Sequence, residues 1–269
     1  MTPILTTENF PMMAGPRLLK CLHRSRLSLH QHFPSMSISE SKLNSQPHKL
    51  LGTFLGPGVV YLLMMHATGI THLSSHVAIQ LGLIISVAFL YICWLYITLT
   101  LICKTPVSAL NFEIGNIGED IARGFVLALA LSAFSVLFFH FVSIPSFLPS
   151  PSYATSMLGW NGLAIFIFVG PYLWIYGAIL EEFLRASLLF LAWSMTTSAA
   201  TKLLIILLGS LLFGMVHIYQ GYLNALEAGC EGVIYGLVYF RYGRIFPLIL
   251  AHGLYDTYIF GELMLRFRG

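Results

Sequence analysis

The chain has 269 residues, of which 57% are hydrophobic and only 9% are charged. Soluble domains average about 25% charged residues, so this composition excludes an ordinary soluble domain and indicates a protein that crosses a membrane several times. The net charge of +3 is small and comes mainly from the residues before position 50; it therefore bears on membrane topology and gives no indication of nucleic-acid binding.

Backbone polar groups inside lipid must be hydrogen-bonded within the protein, which leaves helices or a closed β-barrel as spanning structures. Long uncharged runs such as residues 81–103 favour helices, because barrel strands alternate polar and apolar residues. The sequence therefore predicts an all-α, polytopic membrane helix bundle of about seven to eight hydrophobic helices.

Residues 1–49 are polar, serine-rich and basic, and they contain no apolar run typical of a secretory signal. We interpret them as a flexible basic tail, with an organelle transit peptide as the alternative. Residues 50–104 carry two predicted transmembrane helices, separated near His66, His72 and His76, which we interpret as loop or interface residues. The sequence thus predicts a multi-pass integral membrane protein, in the cell membrane unless the tail is a transit peptide.

Residues 105–269 are predicted to form the functional core, with the site among its C-terminal helices. Charged residues make the segment 105–123 typical of the membrane interface. Pro171 permits a break in a later hydrophobic run, and small residues recur at positions 228, 232 and 236, a pattern that favours close helix packing. The predicted hydrophobic helices of this core are residues 124–144, residues 161–198 as one or two spans, residues 203–219 and residues 245–260.

Glu181, Glu182 and Arg185 place charges inside an apolar segment. Residues 124–180 and 186–201 contain no Asp, Glu, Lys or Arg. A charged side chain at the centre of a bilayer costs about 2.5–3.5 kcal/mol by insertion scales, so intramembrane charges commonly mark a functional site. The alternative is a structural ion pair, because Glu181 and Arg185 are four residues apart on a helix.

Two further polar positions occur in apolar helices of the core. His217 follows Phe213 by one helical turn, and His252 shares a helix face with Asp256. Sites in helix bundles are commonly built from side chains on facing helices. A glutamate can act there as a general base, and two imidazoles can bind a divalent metal or stabilise an oxyanion. A water held between such groups would be a nucleophile for peptide hydrolysis.

Three motifs of the chain resemble those of the CAAX protease and bacteriocin-processing family, also called the CPBP or Abi family. They are Glu181-Glu-Phe-Leu-Arg185, Phe213-Gly-Met-Val-His217 and Pro247-Leu-Ile-Leu-Ala-His-Gly-Leu-Tyr-Asp256. The resemblance runs from about residue 105 to residue 262 and implies an intramembrane endopeptidase. The family has three residues between its second Glu and its Arg, whereas this chain has two.

The resemblance also implies a role for each motif residue. The first Glu of the pair would activate water, which is Glu181 when the motifs are aligned on the glutamates, with Glu182 as the alternative. His217 and His252 would complete the water site. Asp256 would stabilise the tetrahedral oxyanion or orient a histidine.

The same resemblance gives Arg185 and Phe213 supporting roles, and it leaves the metal question open. Two histidines and a glutamate are a known zinc-ligand set, so Glu181, His217 and His252 are candidate zinc ligands. The chain has no His-Glu-x-x-His motif. Members of the family are named metalloproteases, while the eukaryotic ones have been argued to work as metal-independent glutamate proteases.

We therefore predict an intramembrane endopeptidase whose partners are the lipid bilayer and a membrane-associated protein or peptide, such as a prenylated CAAX-type C-terminus. A catalytically inactive immunity or binding protein on the same scaffold is the alternative that the short Glu–Arg spacing favours. A proton-coupled transporter is a further alternative, because intramembrane Glu and His residues also mark ion pathways. Glu227 and Glu231 lie outside the motifs, and we interpret them as rim or packing residues.

Overall fold

The computed structural model describes residues 77–97, 100, 116–142, 160–194 and 196–268. Six helices, one short 3-10 helix at Ile218–Gln220 and no strand lie within these ranges. The all-α prediction is confirmed for this part of the chain. The predicted tail, the predicted first span near residues 50–70, and His66, His72 and His76 lie outside the described residues.

The six helices follow one another with short connections wherever both ends are described. Helix α3 runs without interruption through three parts: an α-helical start at Gly162–Ile167, a π-helix at Phe168–Glu181 and an α-helix at Glu182–Ser194. The other helices are α1 (Val77–Ile97), α2 (Ile117–Val142), α4 (Ala199–Val216), α5 (Tyr222–Tyr242) and α6 (Phe246–Arg268).

Helix α2 begins at Ile117, seven residues before the predicted start of this span. Asn116 caps it, since its side-chain oxygen accepts a hydrogen bond from the backbone N–H of Glu119 at 3.4 Å. Acidic residues in a first turn are favoured by the helix dipole, which explains why a charged segment is helical here. Asp120 is fully buried and forms an ion pair with Arg244 at 2.5 Å, which ties the start of α2 to the turn between α5 and α6.

The π-helix in α3 occupies the place where the sequence permits a break. Pro171 lies in it, four residues after Ile167. Proline cannot donate a backbone hydrogen bond and disturbs the i→i−4 ladder of an α-helix. The chain continues in the wider i→i+5 pattern instead of breaking, so residues 162–194 form one helix that leads directly to the charged motif.

Helices α4 and α5 pack with their backbones unusually close. A Cβ on Gly236 would lie 2.6 Å from Cγ2 of Ile206, one on Gly232 would lie 3.2 Å from Ser210, and one on Gly214 would lie 2.6 Å from the carbonyl oxygen of Ala225. The predicted small-residue face therefore packs against α4 at positions 232 and 236.

Three of the described helices are long and apolar enough to cross a membrane: Ile117–Val142, Gly162–Phe190 and Ala199–Val216. Large apolar side chains remain exposed on α4, where Leu204, Leu207 and Leu211 are each more than half exposed. In water this would be an unfavourable apolar patch. In a bilayer it is the ordinary outer surface of a helix that faces lipid.

Candidate active site

Helix α6 packs tightly against the π-helix of α3, and glycines permit the close approach. A Cβ on Gly253 would lie 2.6 Å from the Trp174 ring. The Trp174 indole N–H donates to the Thr257 hydroxyl at 3.2 Å. A Cβ on Gly177 would lie 2.9 Å from Oδ2 of Asp256. These contacts hold the two helices in register one turn before the charged motif of α3.

Glu182 is the central buried group of the motif. One of its oxygens, Oε1, accepts hydrogen bonds from Nη1 of Arg185 at 2.5 Å and from Nδ1 of His252 at 2.8 Å. The Glu182 side chain is fully buried, and that of Arg185 is 11% exposed. A buried charge is tolerated when it is paired and hydrogen-bonded, and the two donors supply that pairing.

The His252 ring therefore has a defined orientation. Because a carboxylate oxygen can only accept, Nδ1 of His252 donates its hydrogen to Glu182. The opposite nitrogen, Nε2, lies 3.5 Å from Oδ2 of Asp256 and 3.9 Å from Oε2 of Glu181. These distances exceed an ordinary direct hydrogen bond, but they are short enough for one water to contact two of the groups.

The ion pair in this motif differs from the one that the sequence suggested. Arg185 pairs with Glu182, three residues before it, whereas the spacing had suggested Glu181, four residues before it. Both spacings bring side chains together on a helix, and burial of Glu182 decides between them. Glu181 is less buried, with 18% of its side chain exposed.

His217 directly follows α4 and is connected to the motif through Phe213. Nδ1 of His217 lies 2.8 Å from the carbonyl oxygen of Phe213, so the ring donates from Nδ1. The two rings also pack together, with centroids 4.5 Å apart. The Phe213 ring also contacts the Arg185 guanidinium, whose Cζ lies 4.3 Å from the ring centroid.

Tyr235 on α5 is a residue of this site that the motifs do not contain. Its ring stacks on the His252 ring at a centroid distance of 5.3 Å, and Cζ of Arg185 lies 4.8 Å from its centroid. The side chain is 1% exposed. The sequence alone indicates this role only weakly, because a tyrosine inside a glycine-rich helix is just as typical of a residue that only packs against its neighbours.

The comparison with known protein families gives one match. The family model described as type II CAAX prenyl endopeptidase Rce1-like matches residues 162–258. Residues 162–258 are thus similar to this family, and we refer to them as the Rce1-like domain. The match begins at the first residue of α3 and ends in α6, so the three motifs that resemble CAAX proteases all lie inside it. No curated protein and no solved structure matches the chain.

The Rce1-like match, together with three described helices that are apolar enough to span a bilayer, supports an integral membrane protein with a region similar to a protease domain. Lipid is therefore the environment of the Rce1-like domain. All of the residues predicted for the site are in the domain: Glu181, Glu182, Arg185, Phe213, His217, His252 and Asp256.

The candidate zinc ligands Glu181, His217 and His252 all lie in the Rce1-like domain. Zinc sites use at least three protein ligands close around one point. Within the ranges that the structure describes, no three His, Cys, Asp or Glu side chains form such a group. The zinc-binding role of Glu181, His217 and His252 stays a prediction.

Glu227 and Glu231 form a second acidic pair in the Rce1-like domain, on α5. Both are buried rather than at the rim, at 9% and 8% exposure. Glu227 accepts hydrogen bonds from Ser135 of α2 and from Tyr255 of α6, the latter at 3.2 Å. Their interpretation as packing residues fits this position between three helices.

Proposed function

We propose that the protein is an intramembrane endopeptidase that hydrolyses a peptide bond of a membrane-associated substrate, a prenylated CAAX-type C-terminus being the first candidate. The observation that carries the proposal is the arrangement around His252, with Nδ1 bound by Glu182 and with Nε2 between Glu181 and Asp256. The Rce1-like match supports the same class of reaction.

In this proposal Glu181 is the general base. Glu182 is a poor candidate, because Arg185 and His252 both donate to its Oε1 and the side chain is fully buried. Glu181 retains partial exposure and lies near Nε2 of His252, so a water can reach both groups. Glu181 takes one proton from this water as the water oxygen attacks the scissile carbonyl carbon.

The attack produces a tetrahedral intermediate with an oxyanion, which the imidazoles stabilise. In its doubly protonated form, His252 donates from Nε2 to this oxygen. We assign His217 to the same oxyanion; its Nδ1 donates to the carbonyl oxygen of Phe213, which limits the orientation of its ring. The intermediate then collapses, the carbon–nitrogen bond breaks, and Glu181 returns its proton to the leaving amine.

A cleavage assay with the full chain in proteoliposomes tests this function. The substrate is a prenylated peptide with a CAAX-type C-terminus, compared with the same peptide without the prenyl group. We expect the wild type to cleave the prenylated peptide, and Glu181→Ala, His217→Ala and His252→Ala to abolish cleavage. Unchanged cleavage in these three variants would rule out the proposed chemistry.

Absence of cleavage by the folded wild type would instead support the non-catalytic alternative. The sequence feature behind that alternative is the short Glu–Arg spacing. Arg185 nevertheless reaches Glu182 at 2.5 Å, so the spacing does not prevent the ion pair from forming.

Gly177→Ala is expected to lower cleavage by displacing Asp256. The new Cβ would lie 2.9 Å from Oδ2 of Asp256, closer than real Cβ contacts permit, so the carboxylate must move away from its place beside His252. Small displacements of catalytic groups can cost up to about 100-fold in rate. The measurement is kcat for the prenylated peptide.

The matched control is Gly170→Ala in the same π-helix, where a new Cβ meets nothing within 4 Å. This change should leave kcat close to the wild-type value. Equal losses in the two variants would point to a general effect of alanine on the π-helix, and would contradict the contact with Asp256 as the cause.

Metal chelators are expected to leave cleavage unchanged. The reason is the missing group of three ligands among the side chains that the structure describes, together with a water site built from a carboxylate and imidazoles. The measurement is the cleavage rate after incubation with EDTA or 1,10-phenanthroline and removal of the chelator. Loss of activity that added zinc restores would contradict a metal-independent reaction.

A further inference from the structure

Glu182 receives both of its described hydrogen bonds on the same oxygen, Oε1. Two donors from different helices, Arg185 of α3 and His252 of α6, must therefore converge on one atom. Arginine and histidine side chains have several rotamers, so this convergence needs a third group that limits their positions.

The Tyr235 ring is in contact with both donors. The Arg185 guanidinium lies over the ring at 4.8 Å, and the His252 imidazole stacks on it at 5.3 Å with an angle of 25° between the planes. A guanidinium over an aromatic face gains a cation–π attraction that is strongest where water is excluded. Tyr235 is 1% exposed, so water is excluded from its contact with the Arg185 guanidinium.

The ring and not the hydroxyl makes these contacts. Among the atoms that the structure describes, the Tyr235 hydroxyl has no hydrogen-bond partner. We propose that Tyr235 is a positioning residue for the proposed reaction: its ring holds Arg185 and His252 so that both donate to Oε1 of Glu182, which directs Nε2 of His252 towards Glu181 and Asp256.

The chain offers a matched control on the same helix. Tyr239 lies one turn after Tyr235, is 2% exposed, and its hydroxyl likewise has no partner within the described part of the chain. Its ring stacks on Trp193 at a centroid distance of 5.6 Å. Trp193 is not among the described contacts of Glu182, Arg185 or His252. Replacement of either tyrosine by leucine removes a buried ring of the same size, but only one of the two rings contacts the catalytic groups.

The activity experiment compares Tyr235→Leu, Tyr235→Phe and Tyr239→Leu in the full chain, with thermal unfolding measured for each. We expect Tyr235→Leu to lower kcat by up to about 100-fold with little change in KM, because His252 loses its orientation while substrate contacts remain. Tyr235→Phe keeps the ring and should recover most of kcat. Tyr239→Leu should lower the unfolding temperature about as much as Tyr235→Leu does, and its kcat should stay at the wild-type value.

The proposal is overturned if Tyr235→Leu keeps its kcat, if Tyr239→Leu loses as much, or if Tyr235→Phe is as defective as Tyr235→Leu. This arm rests on the proposed function. A second experiment does not depend on that function. It measures the ring-nitrogen NMR signals of His252 in ¹⁵N-histidine-labelled protein, and these signals are assigned by their loss in His252→Gln.

We expect the Nδ1 signal of His252 to shift in Tyr235→Leu and to stay in place in Tyr235→Phe and Tyr239→Leu. An unshifted signal in Tyr235→Leu overturns the proposal whether or not the protein cleaves peptides. A wild type that cleaves nothing while this pattern is observed would sink the proposed function and leave the positioning role of Tyr235 standing.

Discussion

Glu181→Gln should abolish peptide cleavage and leave the protein folded. Glutamine has nearly the same shape as glutamate but cannot accept the proton of the attacking water. General-base catalysis contributes about 100- to 10,000-fold, so we expect kcat/KM to fall by that range. Because Glu181 is partly exposed and Arg185 pairs with Glu182 instead, thermal unfolding in detergent should change little.

The control is Glu119→Gln, which removes a carboxylate that is half exposed at the start of α2 and paired with Arg123. This residue is outside the Rce1-like match, and its replacement should leave kcat/KM unaltered. If Glu181→Gln cleaves normally and Glu182→Gln does not, the roles of the two glutamates are the reverse of those proposed.

Glu182→Leu should cause the largest loss of stability among the site variants. The Arg185 side chain, 11% exposed, would keep its charge and lose its carboxylate partner. Removal of one member of a buried ion pair costs about 3–5 kcal/mol, because the other charge stays buried and uncompensated. The measurement is the free energy of unfolding in detergent micelles, from denaturant titration.

A double-variant cycle separates this ion pair from simple packing. Glu182→Leu combined with Arg185→Leu removes both charges, and similar volumes of apolar side chain replace them, so we expect the double variant to be more stable than Glu182→Leu alone. Glu181→Leu serves as the comparison for a single lost carboxylate. The ion pair is not the source of this stability if Glu181→Leu is as destabilising as Glu182→Leu. The same holds if the losses from Glu182→Leu and Arg185→Leu simply add.

The sequence was sufficient for the class of fold and for the family resemblance. The all-α architecture follows from uncharged runs too long for other structures in lipid. Two of the three motifs contain Glu182, His252 and Asp256, and the structure places the two carboxylates beside the His252 imidazole. The Rce1-like match confirms the family resemblance that these motifs suggested.

The pairing inside the site could not be predicted, for reasons of geometry. Arg185 can reach a carboxylate three or four residues earlier on a helix, so only the burial of Glu182 distinguishes the two glutamates. The contacts of Tyr235 and Gly177 depend on how α5 and α6 are placed against α3. That placement is a property of packing between helices, and no pattern within one helix encodes it.

Hydropathy could not predict where α2 starts or that α3 contains a π-helix, because both depend on local backbone hydrogen bonding. Asn116 caps a helix whose first turns are charged, and a hydropathy profile places the start only where the charges end. Pro171 suggested a break. The chain instead adopts π-helical turns at this point, a conformation that is rare and that often occurs at functional sites.

The contact between α4 and α5 limits how a substrate can reach the cluster. A Cβ on Gly214 would collide with the Ala225 carbonyl oxygen and one on Gly236 with the Ile206 side chain, so the two helices lie too close for even a methyl group at these positions. Sliding one helix along the other would push larger side chains into that contact, so the pair behaves as a single wall. For the proposed peptidase, we therefore expect a peptide that comes from the lipid to enter at another boundary of the bundle, between helices other than α4 and α5.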